Sequence, residues 1–386
     1  MDLSHILFRL GEERGDAASA VAPPIWQTSN FALPSVAAMR EAIATEFDQP
    51  LYTRGANPTN ALLRLKLAAL EGTEQALVFG SGAAAMAAGI CAFVGHGDHV
   101  VAVDKPYGWT RHLLGELLPR FGVECSFIDA RDPAEVAAAL RERTRLIVLE
   151  SPNSMTFEQQ DLAAIAQLAQ ARGIITLIDN SYATPLGQTP ASFGIDLVVH
   201  SGTKYLAGHS DVVFGALCAS RALCETVFYG PYMTFGAILS PHDAWLAIRG
   251  LRTLEVRLAR ISASTARVVA FLEQQPRVRT LYYPQAAGYP QAHLSRAQLR
   301  HATGLLSIEL DTDLDGVERF VDGLTEFLLA VSWGGYESLV FPAAAWRDWR
   351  GCEAQCPVPA TLVRLSIGLE APDALIDDLQ RAFERL

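Results

Sequence analysis

Ser201-Gly202-Thr203-Lys204 stands 25 positions beyond Asp179, which closes the apolar run Ile174-Ile175-Thr176-Leu177-Ile178. Between them these residues offer a primary amine, a carboxylate and two hydroxyls. That set is what pyridoxal 5'-phosphate (PLP) requires of a protein: an amine to condense with its aldehyde, an anion opposite its ring nitrogen, and hydroxyl or amide donors for its phosphate. Lys204 is the expected amine, Asp179 the anion, and Ser201 and Thr203 the donors. Each feature alone has a plainer reading, because Ser-x-Thr-Lys is a common tetrapeptide and an Asp after a strand is often a turn former.

The elements that must carry these residues are legible nearby. A short, β-branched apolar run fits a strand buried on both faces, and Asp179 falls at its carboxyl end, where open α/β sheets place their ligands. Asp196-Leu197-Val198-Val199 reads as the next strand and delivers His200 through Lys204 to the same edge. Ala76 to Phe79, then Gly80-Ser81-Gly82, then Ala83 to Ala87 reads as strand, glycine turn and helix start, which aims backbone N–H groups and the helix dipole at a phosphate. Gly82 and Ala83 are the candidate amides. No charge occurs from Ala76 to Gly95, yet the run is rich in Ala and Gly and broken by Gly80-Ser81-Gly82, so a buried helix is expected there instead of a membrane span. Tyr107 follows the strand-like Val100 to Val103, where its ring could stack on a flat cofactor or simply pack in the core. Leu362 to Ile367 alternates so that Arg364 faces away from Val363, Leu365 and Ile367. A guanidinium on such a strand suits a carboxylate bound through both oxygens, the alternative being an exposed strand arginine.

Taken together, Tyr52-Thr53-Arg54, Asn57-Pro58-Thr59, Ser81-Gly82, Tyr107-Gly108, Glu150-Ser151-Pro152, Asp179-Asn180-Ser181 and the block from His200 through Lys204 to Asp211 run through nearly the whole chain. In that order they resemble the Cys/Met-metabolism family of PLP enzymes, and within it the cystathionine β-lyase branch. The resemblance implies a fold-type I PLP-dependent transferase-like α/β fold. A mostly parallel central sheet wrapped by helices is expected, with an extended N-terminal arm over 1–60, a PLP-binding domain over 61–243 and a smaller C-terminal α/β domain for substrate recognition over 244–386. It also implies that Arg364 pairs with the substrate's α-carboxylate, that Ser332 and Trp333 border the substrate, and that Tyr52 and Arg54 reach a neighbouring subunit's cofactor phosphate, Tyr52 also tuning the amine. Tyr107 and Tyr52 join Lys204 as catalytic candidates. The implied assembly is a homotetramer of dimers with shared active sites.

Ser332-Trp333-Gly334-Gly335-Tyr336 and Glu150-Ser151-Pro152-Asn153-Ser154 are similar to the β-lyase pattern, Trp333 replacing a leucine usual in γ-synthases and γ-lyases. The resemblance therefore implies β-elimination of L-cystathionine to homocysteine, pyruvate and ammonia, as in methionine biosynthesis. Gly55 and His112 depart from the pattern, standing where an arginine and an aspartate commonly face the far end of the substrate. The alternatives are a lyase for cystine or other cysteine S-conjugates, a γ-lyase or γ-synthase of the same fold, or a PLP-bearing regulatory binding protein.

A chain of 386 residues, half of them hydrophobic, suffices for a large domain and a smaller one. The net charge of -11 argues against nucleic acid or an anionic membrane as partner, and the resemblance implies a small thioether amino acid as the substrate. Residues 1 to 20 mix acids and bases without an apolar stretch of signal type, so a cytoplasmic enzyme is expected. Six cysteines in so long a chain do not make a disulfide framework, and Cys352 and Cys356 lack nearby histidines at zinc spacing, so no metal is expected.

Overall fold

The structure, a computed structural model, describes residues 1–12, 19–346 and 358–386. Cys352 and Cys356 lie outside the described residues.

Seven strands form the central sheet: β1 (Gln75–Phe79), β2 (His99–Val103), β3 (Glu124–Ile128), β4 (Thr144–Glu150), β5 (Ile175–Asp179), β6 (Leu197–Ser201) and β7 (Gly215–Ala219). Their order is β1-β7-β6-β5-β4-β2-β3. The pairs from β6 through β3 are parallel, whereas β7 runs antiparallel to both β6 and β1. Parallel neighbours need crossovers and so have both faces covered, which explains why β2 is buried along its entire length and β4 at all but Arg145. One apolar layer joins Val101, Ile147, Leu149, Ile178 and Val198 to Ile165 and Leu251; the other joins Leu77, Val100, Val148 and Leu177 to Met86, Ile90 and Phe228.

The sheet's helices start where the sequence provides caps. Ser81 Oγ accepts from Ala84 N at 3.1 Å to open the Gly82–Cys91 helix, and Asp161 does the same for the Leu162–Gln170 helix. The stretch Pro133 to Arg143 reads as helical in the sequence, but the helix stops at Ala139, where Leu140 turns extended. Thr144 Oγ1 then accepts from Arg141 N and meets His99 Nδ1, each at 2.8 Å, so β4 begins there.

The amphipathic sequence run from Leu251 to Gln275, with Leu254, Leu258 and Ile261 at helical spacing, reads as a helix and is one, Leu254–Leu272, preceded by a separate helix that ends at Leu251. Pro241–Leu251 ends, Thr253 leaves helical geometry, and Leu254–Leu272 continues with Leu254, Leu258 and Ile261 buried. Each of those three side chains contributes on the order of 1.5–3 kcal/mol by leaving water. Gly250 sits at the junction because a Cβ there would lie 2.3 Å from Ala207 O, in the turn that follows Lys204.

A second sheet of β8 (Val278–Tyr282), β9 (Leu305–Leu310), β10 (Leu328–Leu329), β11 (Leu339–Pro342) and β12 (Leu362–Ser366) has the order β10-β11-β12-β9-β8 and is mostly antiparallel. Its core, built from Leu306, Ile308, Phe320, Val363, Leu365 and Leu379, is separate from the two layers of the central sheet. Among the described residues no helix is long and apolar enough to cross a membrane.

Candidate active site

Five strands of the central sheet end at one cavity. Ser81 and Gly82 follow β1, Lys105 to Trp109 follow β2, Glu150 ends β4, Asp179 ends β5 and Ser201 ends β6, with Thr203 and Lys204 just beyond. The second sheet closes the far wall with Arg364 on β12 and Phe341 on β11, and the Val331-Ser332-Trp333 loop lies between. The cavity has a volume of about 460 Å³. A larger one of about 590 Å³ lies under the N-terminal helix between Leu70, Leu186 and Leu258, and holds none of the expected site residues.

Lys204 Nζ donates to Ser332 Oγ at 2.6 Å and sits 5.4 Å from the centre of the Trp333 ring. Burial disfavours its charged form, the Arg364 cation adds to this, and Asp179 opposes it, so the amine is brought down to about 8. Asp179 Oδ1 accepts from Ser181 N at 2.9 Å, while Ser181 Oγ accepts from Ser201 N at 2.6 Å, tying the ends of β5 and β6 together. Tyr107 presents a half-exposed ring over the cavity, and burial, then Asp179 and Glu150, push its hydroxyl above the usual phenol range. Arg364 donates to Ser154 O at 3.2 Å and Ser332 O at 3.4 Å, which points its guanidinium along the wall.

Thr203 lines the cavity, but its Oγ1 donates to Phe214 O at 3.2 Å and accepts from Phe214 N at 3.0 Å. Its hydroxyl fastens the Lys204 turn to the segment entering β7 and would have to rotate to serve a phosphate. Tyr52 and Arg54 do not line this cavity; both are exposed on the N-terminal segment, with the Arg54 guanidinium 5.3 Å from the Tyr52 ring centre. Gly55 packs under Glu46, and His112 stacks edge-on against Trp109 at 5.5 Å, so neither meets the cavity in this chain.

Glu150 was not among the expected site residues. Its Oε2 accepts from Tyr107 N at 2.6 Å and its Oε1 from Ser154 N at 3.0 Å, while burial and the Asp179 carboxylate raise it well above the ordinary carboxylate range. The signal was present, since Glu150 closes the apolar Leu146 to Leu149 as Asp179 closes its own strand. The apolar wall of Met155, Trp109 and Phe341 has no such signal, because these side chains come from distant segments.

The cavity fits the phosphorylated ring. The first N–H groups of a helix lack intrahelical acceptors, and with Ala84 N taken by Ser81 the amides of Gly82 and Ala83 front the cavity beside Ser201. Gly82 is held tightly there: a Cβ on it would lie 2.7 Å from Ser201 Cα and Cβ. Phosphate donors, a carboxylate and an amine with a lowered pKa thus converge on one space.

The family model for the Cys/Met metabolism PLP-dependent enzymes matches residues 5–384. The chain is 37% identical over 378 residues to L-methionine gamma-lyase of Pseudomonas putida, covering 97% of this chain and 95% of that protein. It is 35% identical over 376 residues to cystathionine beta-lyase MetC of Bacillus subtilis, covering 95% and 92%. The structure of cystathionine gamma synthase from Xanthomonas oryzae pv. oryzae superposes with a TM-score of 0.93 at 33% identity, covering 100% of this chain and 98% of that one. The fold and the site define a PLP-dependent α/β enzyme, and the chain belongs to the Cys/Met metabolism PLP-dependent enzyme family. Its relatives include lyases acting at either the β or the γ carbon, as well as a synthase.

Proposed function

We propose that this protein is a carbon–sulfur β-lyase that cleaves L-cystathionine to homocysteine, pyruvate and ammonia. The observation that carries the reading is the confinement of Lys204, with Nζ on Ser332 Oγ at 2.6 Å and the Trp333 indole 5.4 Å away. An amine restrained this way can exchange one proton with the substrate's α-carbon while the sulfur leaves from the adjacent carbon. A γ-elimination demands a second proton removal one carbon further along, which calls for more reach.

The cofactor, when bound, supplies an electron sink for the carbon bearing the amino group. Lys204 would hold it covalently and, as a free amine, hold the proton taken from the α-carbon. Asp179 would face the ring nitrogen, Tyr107 would lie against the ring, and Ser201, Thr203 and the Gly82 and Ala83 amides would take the phosphate. Arg364 would grip the α-carboxylate through both oxygens. Lys204 Nζ and the Arg364 guanidinium both reach Ser332, so a carboxylate held by Arg364 would bring the α-carbon near Nζ and leave the apolar lining of Trp109, Met155 and Phe341 for the thioether.

Tyr52 and Arg54, exposed and absent from the lining of their own cavity, support an assembly in which each serves a neighbour's site, within a homotetramer of dimers. The deciding test incubates the holoenzyme with L-cystathionine, L-methionine and S-alkyl cysteines and measures pyruvate, 2-oxobutyrate and free thiol together. Pyruvate with homocysteine in equal amounts is expected. Release of 2-oxobutyrate as the main keto acid would replace this reading with a γ-lyase.

A further inference from the structure

Behind the cavity, one residue back from Asp179 and from Ser201, lies a buried polar cluster with no part in the chemistry described so far. Glu71, the last residue of the Pro58–Glu71 helix, is 1% exposed, and its Oε1 is shared: His200 Nε2 lies 2.5 Å away and Asn180 Nδ2 donates at 3.0 Å. Asn180 follows Asp179 at the end of β5, and His200 precedes Ser201 at the end of β6. Asn180 also donates its backbone N–H to Val199 O at 2.8 Å and a side-chain N–H to Gln188 O at 3.0 Å. One carboxylate oxygen therefore joins the two strand ends that carry the carboxylate and the hydroxyl of the cavity.

Bare structural need does not account for this cluster. The cluster is buried, with His200 opposite Ala216 on β7 and Gln188 beside Asn180, and polar groups buried this way cost stability that apolar side chains of similar size would not. Glu71 Oε2, His200 Nδ1 and Asn180 Oδ1 have no partner among the described residues, so the cluster holds more polar capacity than its own bonds consume. A second buried histidine gives the contrast. His99, at the opposite end of the sheet, meets Thr144 Oγ1 at 2.8 Å and Ser126 Oγ at 3.0 Å, both ring nitrogens are engaged, and no cavity residue adjoins it.

We propose that Glu71 is a positioning residue that, through His200 and Asn180, fixes the separation between Asp179 and Ser201 and thereby sets how the cofactor's ring nitrogen and phosphate are held at once. The two contacts lie at opposite ends of one rigid ligand, so a shift of one strand end against the other weakens both. Supporting groups of this kind commonly change ligand affinity by about tenfold or more without touching the ligand. The clamp rests on the assignment of Asp179 and Ser201 to the cofactor.

The test uses Glu71→Gln and, in case that chain does not fold, His200→Gln, with His99→Asn as the comparison. Each is stripped of cofactor and titrated with pyridoxal phosphate, following tryptophan fluorescence quenching and the visible band of the reconstituted protein, alongside a thermal melt. Glu71→Gln and His200→Gln are expected to weaken cofactor affinity about tenfold and to shift the visible band, with the substrate's KM near the parent value. His99→Asn is expected to lower the melting temperature and leave affinity and band unchanged. Folded Glu71→Gln and His200→Gln proteins with parental affinity and band overturn the proposal, as does an equal loss of affinity in His99→Asn. Asp179→Asn separates the clamp from the assignment beneath it. If Asp179→Asn weakens binding while both clamp variants do not, the clamp alone fails; if all three are silent, the assignment of Asp179 fails and takes the clamp with it.

Discussion

The roles proposed for Lys204, Asp179 and Arg364 act on different quantities and can be told apart. A buried amine brought down to about 8 is neutral in about one molecule in ten at pH 7, and neutral in most above pH 8. Protonation is favoured below that value, so the rate at which cofactor-free protein captures the aldehyde should climb with pH and level off just above 8, well short of the ordinary lysine range. Stopped-flow absorbance across pH 6 to 10 measures this, and a rate still rising at pH 10 would contradict the lowered pKa. Arg364→Met removes a positive neighbour and should move the plateau to higher pH. With substrate, Arg364→Ala should raise KM on the order of a hundredfold, and Lys at that position should restore little because an ammonium lacks the fork. Asp179→Asn should instead lower kcat at saturating substrate, and steady-state kinetics of the three variants separates the roles. At this scale the sequence shows the groups that end strands or sit in compact motifs, such as Asp179, Ser201 and Lys204. It hides what a side chain bonds to: Glu150 looks like a strand end until its oxygens are found on Tyr107 N and Ser154 N, and Thr203 looks free until its hydroxyl is found on Phe214.

Among the elements, the Gly82–Cys91 helix opens at the end of the cavity proposed to take the phosphate, and its first residue has no room for a side chain. Because a Cβ at Gly82 would lie 2.7 Å from Ser201 Cα and Cβ, backbone must move against backbone. Gly82→Ala should push the helix start away from Ser201, costing about 1–3 kcal/mol of stability and lowering cofactor affinity at least tenfold; melts and equilibrium titration of the cofactor-free variant check both. An unchanged affinity would place the phosphate elsewhere. Four strands of the central sheet were legible because strands buried on two faces are continuous apolar runs, and Ala76 to Phe79, Val100 to Val103, Ile174 to Ile178 and Asp196 to Val199 fall within two residues of the observed β1, β2, β5 and β6. Helix ends were less so. Nothing local announces that Leu140 turns extended just ahead of the Thr144 contact with His99, or that one helix ends at Leu251, beside the close approach of Gly250 to Ala207 O, before the next begins at Leu254. Those breaks are set by partners far away in the chain.

For the whole molecule, the open matter is what Tyr52 and Arg54 serve. Both are exposed on a segment outside the cavity's wall, and the N-terminal 60 residues also leave Ile25, Trp26 and Met39 exposed. If Arg54 reaches a neighbour's phosphate, each working site combines one chain's Lys204 with another chain's Arg54. In a mixed pair of Lys204→Ala and Arg54→Ala chains, one site then carries both lesions and the other carries neither. The intact site should turn over at the parental rate, giving about half the parental activity per pair, although each variant alone is nearly dead. If Arg54 acts within its own chain, every site in the mixed pair carries one lesion and no activity returns. Co-expressing the variants with different tags, purifying through both tags, and measuring pyruvate release distinguishes these outcomes. Activity no higher than that of the separate variants, in confirmed mixed assemblies, would confine Arg54 to its own chain.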